Sequence, residues 1–254
     1  MPDPSAHPTS DALFAIAAQI AGLASGRGPD DGPLVIGITG AVASGKSTFA
    51  AQMRETLTAG INPPWVEIVC TDGFLMPNAK LEQMGLMDQK GFPPSYDTDA
   101  LHAALTAVRA GKAVFPTYSH VTYDIDPALA RTLNAPDILI VEGLNLHHRA
   151  VAPDAPDPLD LLIYLDADEA LLESWFTARF MGLYDAAERD PGSFYARFRP
   201  MGREATLGIA KTVWDQVNLK NLREHIIRAR DRADLIVRKG EGHEIEAVEA
   251  GQRG

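Results

Sequence analysis

The chain of 254 residues has a single cysteine, Cys70, which rules out an internal disulfide and any zinc site that needs two thiolates. Positive charge is also scarce. Lys and Arg number 23 against 34 Asp and Glu, a net charge of −11, whereas a general nucleic-acid binder needs a basic excess to neutralise phosphates. No apolar run approaches the ~20 residues of a membrane-spanning helix. The apolar stretch 12–24 lacks the basic leader of a signal peptide, because the first basic residue is Arg27 and both Asp3 and Asp11 lie ahead of the stretch. These absences leave a cytoplasmic globular chain, long enough for one large α/β domain with a substantial core.

Short apolar runs alternate with helical patterns along that chain. Segments 34–39, 66–71, 137–142, 160–165 and 233–237 are rich in Val, Ile and Leu and read as strands, the most apolar of them buried on both faces. Helices are expected over 46–59, 98–110, 166–179, 202–217 and 219–233, with one more near the N-terminus capped by Ser10-Asp11. Asp166 and Glu169 have capping-box spacing, so Asp166 reads as a helix cap. The stretch 75–96 is irregular and long for a connection, which marks it as functional. The expected layout is a Pro-rich disordered tail and helix over 1–32, a catalytic domain over 33–240 and a tail over 241–254. Strands alternating with helices imply an α/β fold of three layers, a mostly parallel sheet covered by helices on both faces.

Gly40-Ala41-Val42-Ala43-Ser44-Gly45-Lys46-Ser47, between the first strand and its helix, fits G-x-x-x-x-G-K-[ST], the phosphate loop of P-loop NTPases. Its glycines let successive N–H groups point into one concavity at a helix N-terminus, which stabilises phosphate oxygens. Lys46 reaches the β- and γ-phosphates and the Ser47 hydroxyl suits Mg²⁺, so the candidate ATP-binding stretch runs from Gly40 to Thr48. The Asn/Thr-Lys-x-Asp motif of GTPases is missing. The apolar strand ending Val141-Glu142-Gly143 also lacks the Asp-Glu of a motor ATPase. A kinase fits best.

In a parallel sheet, ligands gather at the carboxyl ends of the strands. Asp72 follows the second strand and suits a general base towards a substrate hydroxyl, although Asp-Gly pairs also mark ordinary turns. Glu142 stands at another strand end, placed to hold the metal directly or through water. Cys70, inside an apolar strand, reads as inert core. His147-His148 lacks a third ligand at useful spacing and reads as a surface loop. Ten of the sixteen arginines fall between 179 and 238, either a solvated face or a neutraliser of ATP.

Thr71-Asp72-Gly73-Phe74-Leu75-Met76-Pro77-Asn78 resembles the segment after the second core strand of bacterial type I pantothenate kinases. Lys90-Gly91-Phe92-Pro93-Pro94-Ser95-Tyr96-Asp97, Tyr118-Ser119-His120-Val121-Thr122-Tyr123-Asp124, Glu142-Gly143-Leu144-Asn145 and Arg179-Phe180 continue the likeness in order. Asn218 and Asn221 fall in its closing helical motif. The resemblance implies ATP and Mg²⁺ at Lys46 and Ser47, Asp72 as the base, Glu142 near the metal and Arg179 bridging the phosphates and the transferring group. It implies a pantothenate pocket lined by Tyr118, His120, Tyr123, Phe176, Phe180, Tyr195 and Asn218, and a homodimer. Phe176 stands where the family commonly has a hydrogen-bonding Tyr, and Ala51 where some members have an Arg associated with coenzyme A feedback. A related kinase acting on a nucleoside or sugar and a non-catalytic ATP-binding regulator are the alternative readings.

Overall fold

The computed structural model describes residues 8–28, 30–146 and 157–252. Most of the expected disordered tail and the His147-His148 pair lie outside them. In chain order the elements are α1 (Pro8–Ser25), β1 (Leu34–Gly40), α2 (Lys46–Thr58), β2 (Val66–Cys70), α3 (Asn78–Met84), α4 (Thr98–Arg109), β3 (Lys112–Phe115), β4 (Tyr118–Ser119), β5 (Asp124–Ile125), β6 (Arg131–Asn134), β7 (Ile138–Glu142), β8 (Leu161–Asp166), α5 (Glu169–Ala186), α6 (Arg203–Val213), α7 (Leu219–Glu224), β9 (Leu235–Lys239) and β10 (Ile245–Ala250).

The apolar runs form one six-stranded sheet in the order β10-β9-β8-β1-β7-β2, parallel except for β10. Because side chains alternate along a strand, each run supplies both faces. Leu34, Ile36, Ile38, Ile140, Ile163 and Leu165 pack under α1 and α2 through Ile16, Ile20, Phe49 and Met53. Val35, Leu139, Val141, Leu162 and Tyr164 pack on the other side under Leu105, Val108, Trp214 and Ile226. The three-layer α/β architecture expected from the pattern is the one observed.

The boundary between these layers and the termini differs from expectation. Residues 245–250, read above as tail, form β10, antiparallel to β9, and Thr9 Oγ1 of α1 accepts from the Ile245 N–H at 3.1 Å. Asp166 does not cap α5. The N-cap position belongs to Asp168, while Asp166 ends β8 and takes an ion pair from Arg230 at 3.3 Å. The charge of Arg230, brought over by the chain before β9, gives the carboxylate a better partner than a helix N–H. The segment read as irregular holds α3, a seven-residue helix that buries only Leu81.

At the foot of the sheet, three aspartates preceding strands fix the register of neighbouring strands. Asp137, Asp160 and Asp234 each accept, at 2.7 Å, the N–H of Trp65, Val35 and Leu162 respectively. Asp160 also takes Arg109 at 2.9 Å and Arg27 at 3.5 Å. Asp160→Ala is expected to lower unfolding free energy by about 1.5–3 kcal/mol, the worth of a charged hydrogen bond. A urea titration with an unchanged midpoint would contradict this.

Candidate active site

The sheet order places β1 between β7 and β8, so the loop after β1 opens where the chain switches sides of the sheet. Gly45 caps α2 with no side-chain hydrogen bond, which keeps first-turn N–H groups available to an anion. Lys46 Nζ donates to the carbonyls of Gly40 at 3.2 Å and Ala41 at 2.8 Å. Burial lowers the Lys46 pKa, while the carboxylates of Glu142 and Asp72 work to raise it. Ser44 Oγ is buried in the loop without a partner. The Ser47 hydroxyl donates to Glu142 Oε1 at 2.9 Å, so a hydroxyl from α2 and a carboxylate from β7 already converge.

Residues Val42, Ala43, Lys46 and Ser47 line a cavity of about 350 Å³. Gly40, Ala41 and Ser44 are buried behind it, Gly45 is half-buried, and Thr48 is exposed on α2. Strands β2 and β7 are neighbours with Cys70 opposite Glu142, so the residues that follow them face one crevice. Asp72 lies in a single 3₁₀ turn, Thr71–Phe74. The glycines after both acids are required for space. A Cβ on Gly73 would sit 2.0 Å from the Pro116 carbonyl oxygen, and one on Gly143 would sit 1.7 Å from Thr71 Oγ1. The Asp-Gly and Glu-Gly pairs are therefore close backbone approaches rather than free turns.

Cys70 departs from its expected place. Ending β2 at the crevice, it opens into the cavity instead of the core. Its surroundings nevertheless push the thiol pKa up, through burial first and then the Asp72 and Glu142 carboxylates, so it stays protonated. The Tyr96 hydroxyl donates to Asp72 Oδ1 at 3.1 Å, and burial with the same carboxylate raises its pKa as well.

Most of the remaining wall comes from four segments. Helix α5 turns Phe176, Arg179, Phe180 and Leu183 inward, the i, i+3, i+4, i+7 spacing of one helical face. The β4–β5 hairpin supplies Tyr118, His120 and Tyr123. The 3₁₀ stretch Phe194–Met201 supplies Phe194, Tyr195 and Phe198. A π-helical turn, Trp214–Asn218, then shifts the register between α6 and α7, so that Val217, Asn218 and Asn221 all border the cavity. Asp72, Glu142 and every residue expected from the resemblance thus line the same cavity. Tyr118 meets His120 and Tyr123 edge-on at 5.2 and 5.8 Å, and Tyr123 stacks on Phe194 at 4.0 Å.

Sequence reasoning missed Lys90, Tyr96, Phe194, Phe198 and Asn221 as site residues. Lys90 Nζ donates to Asn78 Oδ1 and to the Tyr123 carbonyl, both at 2.6 Å, and lies 4.9 and 4.6 Å from the Tyr118 and Tyr123 rings. Lys90 and Tyr96 sit within the quoted 90–97 string, but nothing local assigned them a contact.

The donor set fits a nucleoside triphosphate with Mg²⁺. Among the described residues no three His, Cys, Asp or Glu side chains gather into a metal cluster. A cation here would rest on Ser47, Glu142 and phosphate oxygens, the sparse protein ligation usual for Mg²⁺ in phosphoryl-transfer sites. No helix among the described residues is long and apolar enough to cross a membrane.

Residues 35–181 match the Phosphoribulokinase / Uridine kinase family. The chain is 48% identical over 225 residues to a pantothenate kinase of Rhizobium rhizogenes, covering 85% of this chain and 68% of that one. A pantothenate kinase of Agrobacterium fabrum is 46% identical over the same length, covering 85% and 70%. Among solved structures, a putative fructose transport system kinase from Silicibacter sp. TM1040 superposes with a TM-score of 0.69 at 24% identity, covering 88% of this chain and 98% of that one. At that identity the likeness concerns the fold.

Proposed function

Because the chain belongs to the phosphoribulokinase / uridine kinase family, and within it to the bacterial pantothenate kinases, we propose that it moves the γ-phosphoryl group of ATP to the primary hydroxyl of pantothenate. This is the entry step of coenzyme A synthesis. The observation that carries the reading is one cavity joining an uncapped phosphate loop, Asp72 and an aromatic wall.

The hydroxyl oxygen attacks the γ-phosphorus in line, the bond to the bridging oxygen breaks, ADP leaves and the hydroxyl proton passes to Asp72. The Tyr96 hydroxyl holds the Asp72 carboxylate in position. Lys46 leaves its loop carbonyls for phosphate oxygens, and Arg179 supplies a fixed cation where charge develops. Ser47 and Glu142 would hold Mg²⁺, which spreads the charge of the phosphates. Aromatic side chains suit the gem-dimethyl group of pantothenate, and Phe176 offers that group area but no hydrogen bond, so polar contact falls to neighbours such as Asn218. The family resemblance also supports a homodimer and a cytoplasmic location.

Pantothenate is expected to raise ADP release from Mg-ATP many-fold over the acceptor-free rate, and excess EDTA to abolish it. A coupled ADP assay across pantothenate, uridine and a sugar phosphate checks both. Stimulation by uridine or the sugar phosphate alone would retain a kinase and refute the acceptor.

A further inference from the structure

The bend at Gly91 is held from several sides. Its φ is +94°, a conformation that L side chains rarely adopt, and its N–H donates to Ser95 Oγ at 2.9 Å. Its carbonyl accepts two side-chain amides at once, Asn145 Nδ2 at 3.0 Å and Asn221 Nδ2 at 2.9 Å. These come from the chain after β7 and from α7, 54 and 130 residues away in sequence. Both asparagines are buried, at 9% and 3% exposure, and the Oδ1 atom of each has no hydrogen-bond partner.

Two orphaned amide oxygens are a poor way to stabilise a fold, since each buried unpaired acceptor costs about 1–3 kcal/mol. Leucine would fill a similar volume without that cost. The arrangement does fix one thing, the bend next to Lys90. That residue's ammonium borders the acceptor cavity between the Tyr118 and Tyr123 rings, where burial lowers its pKa while the Asp124 and Asp72 carboxylates work to raise it.

We propose that Asn145 and Asn221 are positioning residues that set Lys90 in the acceptor cavity through the Gly91 carbonyl. The inference rests on the pantothenate kinase reading above, since it gives the cavity its acceptor. Lys90 meets the acceptor, and the two amides act on it through the Gly91 carbonyl; Asn221 also borders the cavity, so removing Lys90 separates positioning from direct contact.

The test is steady-state kinetics on Asn221→Leu and, separately, Asn145→Leu, each also made in a Lys90→Met background. Each single variant is expected to raise the KM for pantothenate about tenfold or more, the scale of a misplaced binding group. The KM for ATP stays unchanged and the melting temperature is unchanged or higher. In the Lys90→Met background the asparagine substitutions add nothing further to the pantothenate KM. An active wild type whose pantothenate KM ignores both substitutions would overturn the inference alone. So would equal rises in both Michaelis constants, or a full-sized effect that persists without Lys90, because either means the amides hold the fold together or touch the acceptor themselves rather than set Lys90. A wild type that turns over no pantothenate would instead overturn the activity reading, and this inference with it.

Discussion

Asp72→Asn lowers kcat by about 10²–10⁴-fold, the usual contribution of a positioned general base, and leaves ATP affinity unchanged. The substitution is chosen because asparagine is as good a turn former as aspartate. If Asp72 served only the 3₁₀ turn Thr71–Phe74, the variant would keep its activity. The amide oxygen of the new side chain still accepts from Tyr96, so the local geometry survives while the proton acceptor is lost. Rapid-mix measurement of phosphoryl transfer, beside a calorimetric titration of ATP, separates the two effects. Loss of ATP binding in proportion to turnover would place Asp72 in nucleotide binding instead.

Arg179→Met is the second large effect, a fall in kcat of about 10²–10³-fold with little change in melting temperature. The fold pairs many of its other arginines with carboxylates. Arg199, Arg203, Arg223, Arg230 and Arg238 are paired with Glu188, Asp185, Glu169, Asp166 and Asp168 respectively. Arg179 has no carboxylate partner among the described residues, yet it borders the cavity and bears on the charge of both Lys46 and Tyr195. Its cation is unused by the fold and is free to meet charge that appears only during transfer. Arg179→Lys should restore little, because a point charge does not reproduce a planar fork of donors. A kcat unaffected by Arg179→Met would make the residue a solvated surface group.

These two residues show how unevenly the site was written in the sequence. The phosphate loop was legible because its chemistry is contiguous, a glycine-rich turn with lysine and a hydroxyl at fixed spacing. Asp72 and Glu142 were legible because parallel topology sends every strand end to one side. Lys90, Tyr96 and Asn221 were not, because their contacts with Tyr123, Asp72 and Gly91 span 33, 24 and 130 residues of sequence. Cys70 was misplaced because a strand's last residue sits at its crevice end, which apolar composition does not reveal.

The fold divides in the same way. Central strands such as Ile138–Glu142 announce themselves because both faces are buried. The strand Ile245–Ala250 lies at the sheet edge and breaks strict alternation, with Glu246 and Glu249 three residues apart and a register shift between Ile245 and Ala247, so its sequence reads like a solvated tail. Asp166 and Glu169 had capping-box spacing, but Arg230 arrives from 64 residues away and takes the carboxylate. Helix α3 has too few residues for periodicity and depends on tertiary contacts around Leu81.

Product identification tests the central claim most directly. Purified protein is incubated with Mg-ATP and pantothenate, and the products are resolved by phosphorus NMR and mass spectrometry. The expected result is one new phosphate monoester on the primary hydroxyl of pantothenate, formed in step with ADP and absent with Asp72→Asn. ADP formation without any phosphorylated pantothenate, or a phosphorylated nucleoside or sugar as the only product across the acceptor panel, would contradict it.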